Sequence, residues 1–309
     1  MQIHVLGSAA GGGFPQWNCG CPNCAGVRAG TIAALPRKQA SVAVSDSEGH
    51  WFLIHAAPEI SAQLAAFPPL HPRVQSRAVR DSPLAGIILT NADLDQCLGL
   101  LSLRESQPLH LYATESIRQA VTQENRFYRA LDRVPGQITW HELKLYGTQT
   151  LFTPDQRSTQ LIVTTIPVAG KVPLYLEGQV EPESGDNVAL LVRESSGGPS
   201  LGYAPSVGAR DPEIERIVER SDCLFFDGTF WSDDELTALG IGTKMASDMA
   251  HWPLGGANGS LSMLAQSSSR RILIHINNTN PILRDDSAER RHVEQAGVEV
   301  AYDGMEIAL

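Results

Sequence analysis

The chain has 309 residues, 42% hydrophobic, 19% charged and 6% aromatic, enough apolar material for a sizeable core and too much for a disordered chain. Its formal net charge is −10, and no Lys/Arg cluster exceeds a pair, so no nucleic-acid partner is expected. No run reaches the ~20 apolar residues of a membrane helix, so no membrane span is expected either.

The opening Met1-Gln-Ile-His-Val-Leu-Gly-Ser8 alternates like a strand and enters a Gly-rich turn. It lacks the basic and apolar regions of a signal peptide, which predicts a cytoplasmic protein. Short apolar strands follow from the pattern over 3–6, 39–45, 51–56, 86–90, 109–113 and 161–167, then 187–193, 200–204, 223–227, 271–275 and 298–302. Helical periodicity marks 60–67, 97–105, 117–131, 212–220, 261–267 and 288–296. Strands, then mixed strand and helix, occur twice in succession. That order predicts an α/β fold of two packed sheets with helices outside. The stretch 168–185, rich in Pro, Gly and Glu, reads as a surface loop or lid rather than a linker. The expected organisation is therefore one domain over 1–309. A homodimer is compatible with the sequence, which carries no oligomerisation motif.

Asn18-Cys19-Gly-Cys21-Pro-Asn-Cys24 is the strongest chemical signal. Three thiolates this close repel one another unless a cation neutralises them, and they can converge on one tetrahedral zinc. The odd, clustered cysteine count fits a metal site in a reducing compartment better than a disulfide framework. A closed structural site needs a fourth ligand, and the late Ile274-His275-Ile-Asn-Asn278 segment offers His275 or Asn278.

A second constellation follows the buried strand 86–90. Asn91-Ala-Asp93-Leu-Asp95-Gln96 sits where a strand's carboxyl end meets a helix N-terminus, a usual place for α/β sites. Asp93 reads either as a helix cap or as a site carboxylate; Asp95 reads as pointing into a cleft. His275 ends another buried strand, where alternation lets a final side chain leave the core. His251, in Ala250-His-Trp-Pro253, reads as acid/base or as exposed loop. Asp227, closing Cys223-Leu-Phe-Phe, reads as a turn cap or as a carboxylate supporting a metal site. His4, His50, His55, His71, His110, His141 and His292 stand in no motif and read as structural or exposed.

Thr90-Asn91-Ala-Asp93-Leu-Asp95-Gln96, followed by Gly99-Leu-Leu, resembles the metallo-β-lactamase superfamily, whose His-x-His-x-Asp-His motif follows a strand-ending Thr/Ser. The frame and Asp95 are kept, whereas each His is replaced. Neutral amides are poor substitutes for imidazole, which sets the sequence against a two-zinc hydrolase. The Gly- and Cys-rich opening also resembles the protein B family of pyrroloquinoline quinone (PQQ) biosynthesis. So do Tyr203-Ala-Pro-Ser-Val-Gly208, Asp227-Gly-Thr-Phe-Trp231, His275-Ile-Asn-Asn-Thr-Asn-Pro281 and Asp303-Gly-Met-Glu-Ile307. The resemblance implies an αβ/βα sandwich with a site at the sheet edge. It implies a substrate derived from a cross-linked Glu-Tyr peptide, and an Fe(II)-dependent hydroxylation of its tyrosine ring. An older family proposal, carriage of PQQ or a precursor towards the periplasm, gives the alternative.

In that family an Asp-His pair at positions 95–96 and the late His275 hold the active-site metal. Related cyclic phosphodiesterases complete their structural zinc with a His at the position of Asn278. Here Gln96 replaces the paired His, which leaves Asp95 and His275 as the strong ligands of an Fe(II) site. Gln96 through its carbonyl oxygen, or Asp93, would have to supply a third. Asn91, Asp93 and Gln96 are thus candidate cofactor-binding residues, Asp95, His251, His275 and Asp227 candidate catalytic ones. Cys19, Cys21, Cys24 and Asn278 are the candidate zinc ligands.

Overall fold

The computed structural model describes residues 1–73 and 79–309. Fourteen strands form two seven-stranded sheets. The first contains β1 (Gln2–Gly7), β2 (Ser41–Ser45), β3 (Trp51–Ile54), β4 (Leu84–Ile88), β5 (Leu109–Ala113) and β6 (Ile138–Glu142). The second contains β7 (Thr148–Phe152), β8 (Ser158–Pro167), β9 (Val188–Glu194), β10 (Leu201–Ala204), β11 (Cys223–Asp227), β12 (Arg270–Ile274) and β13 (Glu299–Val300). The last strand, β14 (Glu306–Ala308), returns to the edge of the first sheet beside β1. Each sheet is antiparallel in its first strands and parallel in its later ones.

The parallel strands require crossovers, which helices supply. They are α2 (Ile60–Ala66), α3 (Leu94–Cys97) and α4 (Glu115–Thr122) on the first half, after α1 (Pro22–Ala29) in the cysteine loop. The second half has α5 (Pro212–Arg220), α6 (Glu235–Ala238), α7 (Ser260–Leu264) and α8 (Ala288–Gln295). Local chemistry starts them where expected: Asp211 Oδ1 accepts from Ile214 N at 2.8 Å, with Pro212 in the first turn of α5. Ile214, Ile217 and Val218 then form its buried stripe.

Alternation along the strands sorts two cores. Cys223 and Phe225 of β11, with Ile272 and Ile274 of β12, face the first sheet. Leu224, Phe226 and Leu273 face the helices with Ile214, Leu264 and Val293. Asp227 shares the parity of Cys223 and Phe225, so the strand's last residue turns toward the space between the sheets. Among the described residues no helix is long and apolar enough to cross a membrane.

Several elements differ from expectation. The helix expected over 97–105 is one short α turn followed by a 3₁₀ segment, Leu98–Leu103. Gly99 explains it, because its N–H donates to Ala56 O at 2.9 Å instead of continuing the helix. The helix expected over 117–131 breaks after Thr122; Asn125 caps a separate 3₁₀ segment, Arg126–Arg133. Residues 22–29, outside the expected helices, form α1, capped by Cys21 Sγ accepting from Cys24 N at 3.4 Å. The partly exposed β6 and β7 lack a clear alternating pattern and were not anticipated, and β13 is shorter than 298–302.

The close packing at Gly99 places the turn carrying residues 91–97 against the end of β3. A methyl group on Gly99 would meet Ala57 O at 2.1 Å, so the backbone itself must yield. Gly99→Ala is expected to cost about 2–4 kcal/mol in urea unfolding, more than an ordinary overpacked site; a loss below about 0.5 kcal/mol would contradict the role given to this contact.

Candidate active site and cysteine centre

The carboxyl ends of β3, β4, β10, β11 and β12 meet at one edge of the sandwich. The sheets are tied together there: Ile276 N donates to Ser8 O at 3.0 Å, and Ala10 N to Ile276 O at 2.9 Å. Immediately before this bridge, His275 takes a left-handed backbone, φ 59°. That conformation is uncommon for a residue with a side chain and turns the imidazole out of the strand's alternation.

His275 Nε2 donates to Asp95 Oδ2 at 2.9 Å, joining residues 180 positions apart. On the other side, the Thr229 hydroxyl donates to Asp227 Oδ1 at 2.6 Å and lies 2.9 Å from His275 Nδ1. With its proton committed to Asp227, Thr229 accepts from Nδ1–H. Both ring nitrogens therefore donate, the pattern of an imidazolium. Burial opposes that charge, but the bond and charge of Asp95 outweigh it and hold His275 above the ordinary histidine range. Burial likewise opposes ionisation of Asp95, and His275 outweighs it and holds the carboxyl low.

Asp227 orients a second imidazole. His251 Nδ1 donates to Asp227 Oδ2 at 2.7 Å, which leaves Nε2 as the ring's unprotonated nitrogen when neutral. The rings of His251 and His275 stack with centroids 5.4 Å apart. Donor atoms of Asp227, His251 and His275 all lie within 4.8 Å of one another. His251 also lines a cavity of about 790 Å³ with Arg210, Trp231 and Trp252.

The turn after β4 holds the remaining candidates. Asp93 precedes α3 without a side-chain cap bond, so the cap reading fails. Burial and the neighbouring Asp95 charge push its carboxyl up to about 6. Asn91 is buried; its Oδ1 accepts from Asp93 N at 3.0 Å, and its Nδ2 has no partner. Gln96 Oε1 accepts from the Thr90 hydroxyl at 3.1 Å. The carbonyl oxygen expected to reach a metal is thus already engaged within the protein.

Sequence reasoning missed His55. It is fully buried, one residue beyond β3, with φ 73°. Its Nε2 stands 2.7 Å from Thr90 Oγ1, and the Tyr203 hydroxyl lies 3.4 Å from its Nδ1. Burial drives it down to about 3, so the ring is neutral at physiological pH. Its one available signal was position: like His275, it directly follows the apolar end of a short strand.

The three cysteines form a separate centre. Their Sγ atoms lie within 4.8 Å of one another. Asn278 Nδ2 stands 3.2, 3.7 and 3.3 Å from Cys19, Cys21 and Cys24. Asn278, and not His275, therefore faces the thiols. Burial pushes the Cys21 thiol up to about 12.

Comparison with known proteins places the chain in a family. Residues 50–276 match the Beta-lactamase superfamily domain. Coenzyme PQQ synthesis protein B of Azotobacter vinelandii is 45% identical, and that of Pseudomonas putida 43%, each over the whole of both chains. The chain belongs to the coenzyme PQQ synthesis protein B (PqqB) family. The structure of Zn(2+)-bound PqqB from Methylobacterium extorquens is 39% identical, covers all of both chains and superimposes with a TM-score of 0.91. A diphosphatase of the PhnP family, 18% identical with a TM-score of 0.64, shares the fold.

Between the two centres of this PqqB-family chain lies a buried carboxylate that nothing in Asp233-Asp234-Glu235 marked out. Glu235 accepts from Trp231 N at 2.7 Å and from the Thr279 hydroxyl at 2.5 Å, tying the cavity wall to the loop between His275 and Asn278's neighbours. Burial pushes it from 4.5 up to about 7. The folded state therefore holds a proton that the unfolded chain releases near pH 4.5. Stability from this group is full below that pH and is lost as pH rises through about 7. Glu235→Gln, which stays neutral, is expected to flatten the melting temperature across that window; an unchanged pH profile in the variant would contradict the assignment.

Proposed function

We propose that this chain acts in PQQ synthesis by metal-dependent oxidation of the tyrosine ring of a cross-linked, Glu-Tyr-derived intermediate. Fe(II) is the proposed active-site ion and zinc the structural one. The observation that carries the reading is the part-buried Asp95–His275 pair with the Asp93 charge coupled to it, beside an Asp227-oriented His251. Two carboxylates crowded into one half-buried site, one of them pushed towards neutrality, form a donor set that a cation relieves. Asp95 and His275 would hold the ion, with Asp93 as third donor; Asp227 and Thr229 hold the two imidazoles in place.

Iron, when bound, supplies the one-electron chemistry that ring oxygenation needs. The protein's own groups do the rest. Trp231 and Trp252 offer flat apolar walls for an aromatic ring, and Arg210 offers a cation for a carboxylate. In the neutral His251 ring Asp227 holds Nδ1–H, so Nε2 carries the lone pair that would accept the proton of the ring hydroxyl.

Zinc fits the second centre. Zn–S bonds of ~2.3 Å demand sulfurs ~3.8 Å apart, within the spread of the three Sγ atoms. Asn278 would complete the shell by presenting Oδ1 in place of Nδ2. A relative in the same family is zinc-bound, which supports the reading. Cys21→Ala is expected to lower zinc content and melting temperature together; full zinc and unaltered stability in that variant would sink this assignment.

The amides Asn91 and Gln96, standing where the superfamily has imidazoles, favour a second reading: a carrier of PQQ or its precursor. Anaerobic Fe(II) loading, followed by oxygen and the cross-linked substrate, separates the two. A product heavier by oxygen supports oxidation, whereas tight binding of unchanged substrate supports carriage. His275→Ala should abolish Fe(II) binding and turnover while costing about 3 kcal/mol in stability, because Asp95 loses its partner. Loss of zinc from that variant would instead place His275 in the cysteine centre.

A further inference from the structure

The turn from Thr90 to Gln96 contains two side-chain amides, and the chain itself consumes the oxygen of each. Asn91 Oδ1 accepts from the backbone N–H of Asp93, a donor whose direction is not negotiable. Gln96 Oε1 accepts from Thr90. Behind Thr90 stands His55, neutral through burial. A neutral imidazole has one N–H and one lone pair, and the Thr90 bond decides how they are used. The Thr90 proton goes to Gln96 Oε1, so Thr90 Oγ1 is left to accept from Nε2–H at 2.7 Å, and Nδ1, with the Tyr203 hydroxyl 3.4 Å away, keeps the lone pair. Each donor in this buried series points toward the amide oxygen.

We propose that Tyr203, His55 and Thr90 are positioning residues that lock the Gln96 amide oxygen inward, so that Gln96 and Asn91 both offer N–H₂ groups to an oxygen-rich ligand. Position 96 is then a recognition site for a carbonyl, quinone or carboxylate oxygen and takes no part in holding the metal. Asn91 supplies the independent support: its Nδ2 is buried without an acceptor among the described residues, in a residue only 2% exposed. An unpaired buried donor is costly, and an incoming oxygen recovers that cost. The proposal rests on the functional reading above only for the identity of the ligand, a polycarboxylated aromatic of the PQQ series.

Purified full-length protein is titrated with PQQ itself, and separately with Mn(II), by calorimetry. Gln96→Met keeps the length of the side chain and removes both amide ends. It is expected to weaken PQQ binding about five- to tenfold and to leave Mn(II) affinity within about twofold. Asn91→Asp keeps the acceptor for Asp93 N–H and replaces the N–H₂ by oxygen, so PQQ binding should fall at least tenfold. Thr90→Val frees the Gln96 amide to turn and should reproduce part of the Gln96→Met effect, with Thr90→Ser restoring wild-type affinity at an unchanged melting temperature. Loss of Mn(II) affinity in Gln96→Met would overturn the proposal by making the amide a metal ligand. Wild-type PQQ affinity in both Gln96→Met and Asn91→Asp would overturn it as well. A protein that oxidises the Glu-Tyr intermediate yet binds PQQ equally in all variants sinks this inference alone; a protein without Mn(II) affinity and without turnover sinks the oxidation reading, whatever the amides do.

Discussion

The site is organised by one buried negative charge. The Asp227 carboxylate lies at the end of an apolar strand and accepts four hydrogen bonds, from Val207 N, Thr229 N, the Thr229 hydroxyl and His251 Nδ1. Burial opposes its ionisation, and these partners outweigh that opposition and keep the carboxyl below its usual range. A buried carboxylate stripped of one partner is costly, so each of these segments is held where the charge needs it. The partners come from the loop after β10, the turn after β11 and the segment before α7. Through Thr229 the same charge reaches His275, and through His275 it reaches Asp95 on the other sheet.

The two halves of the molecule use the same device. Each sheet passes from antiparallel to parallel strands, and each has a histidine one residue beyond a short apolar strand in a left-handed backbone. His275 reaches the cleft, where carboxylates charge it. His55 stays in the core, where burial keeps it neutral and a hydroxyl on either side gives it direction. The difference between the two rings is one of neighbours rather than of backbone, since Asp95 hydrogen-bonds His275, whereas Thr90 and Tyr203 flank His55.

The strands whose faces are wholly apolar were legible in the sequence, as were the capped helix α5 and the triple-cysteine turn. Position at or just beyond a strand's carboxyl end singled out Asp227, His275 and, in the turn after β4, Asp95, because the chain leaves the sheet there at the edge of the sandwich. What was not legible depended on partners distant in the chain. Gly99 cannot be read as a helix stop until Ala56 lies against it. Glu235 belongs to an acidic run that looks solvated until Trp231 and Thr279 close over it. The direction of the Gln96 amide is decided by His55, 41 positions earlier by the numbering (96 minus 55). The β6 and β7 strands escaped because both are partly exposed and pair at sheet edges, where alternation is weakest.

The contact between the cysteine turn and Asn278 has a consequence for how the molecule is made. Cys24 and Asn278 are separated by 254 positions, and Asp95 and His275 by 180. Contacts of such high sequence separation close large loops and belong to slow-folding topologies. During synthesis the thiols emerge first and remain without residue 278 until the 254 residues that separate it from Cys24 have been translated, about 13–50 s later at ~5–20 residues per second. Through that interval the three thiols of the cysteine turn lack the Asn278 side chain that covers them in the folded protein and stand open to oxidants.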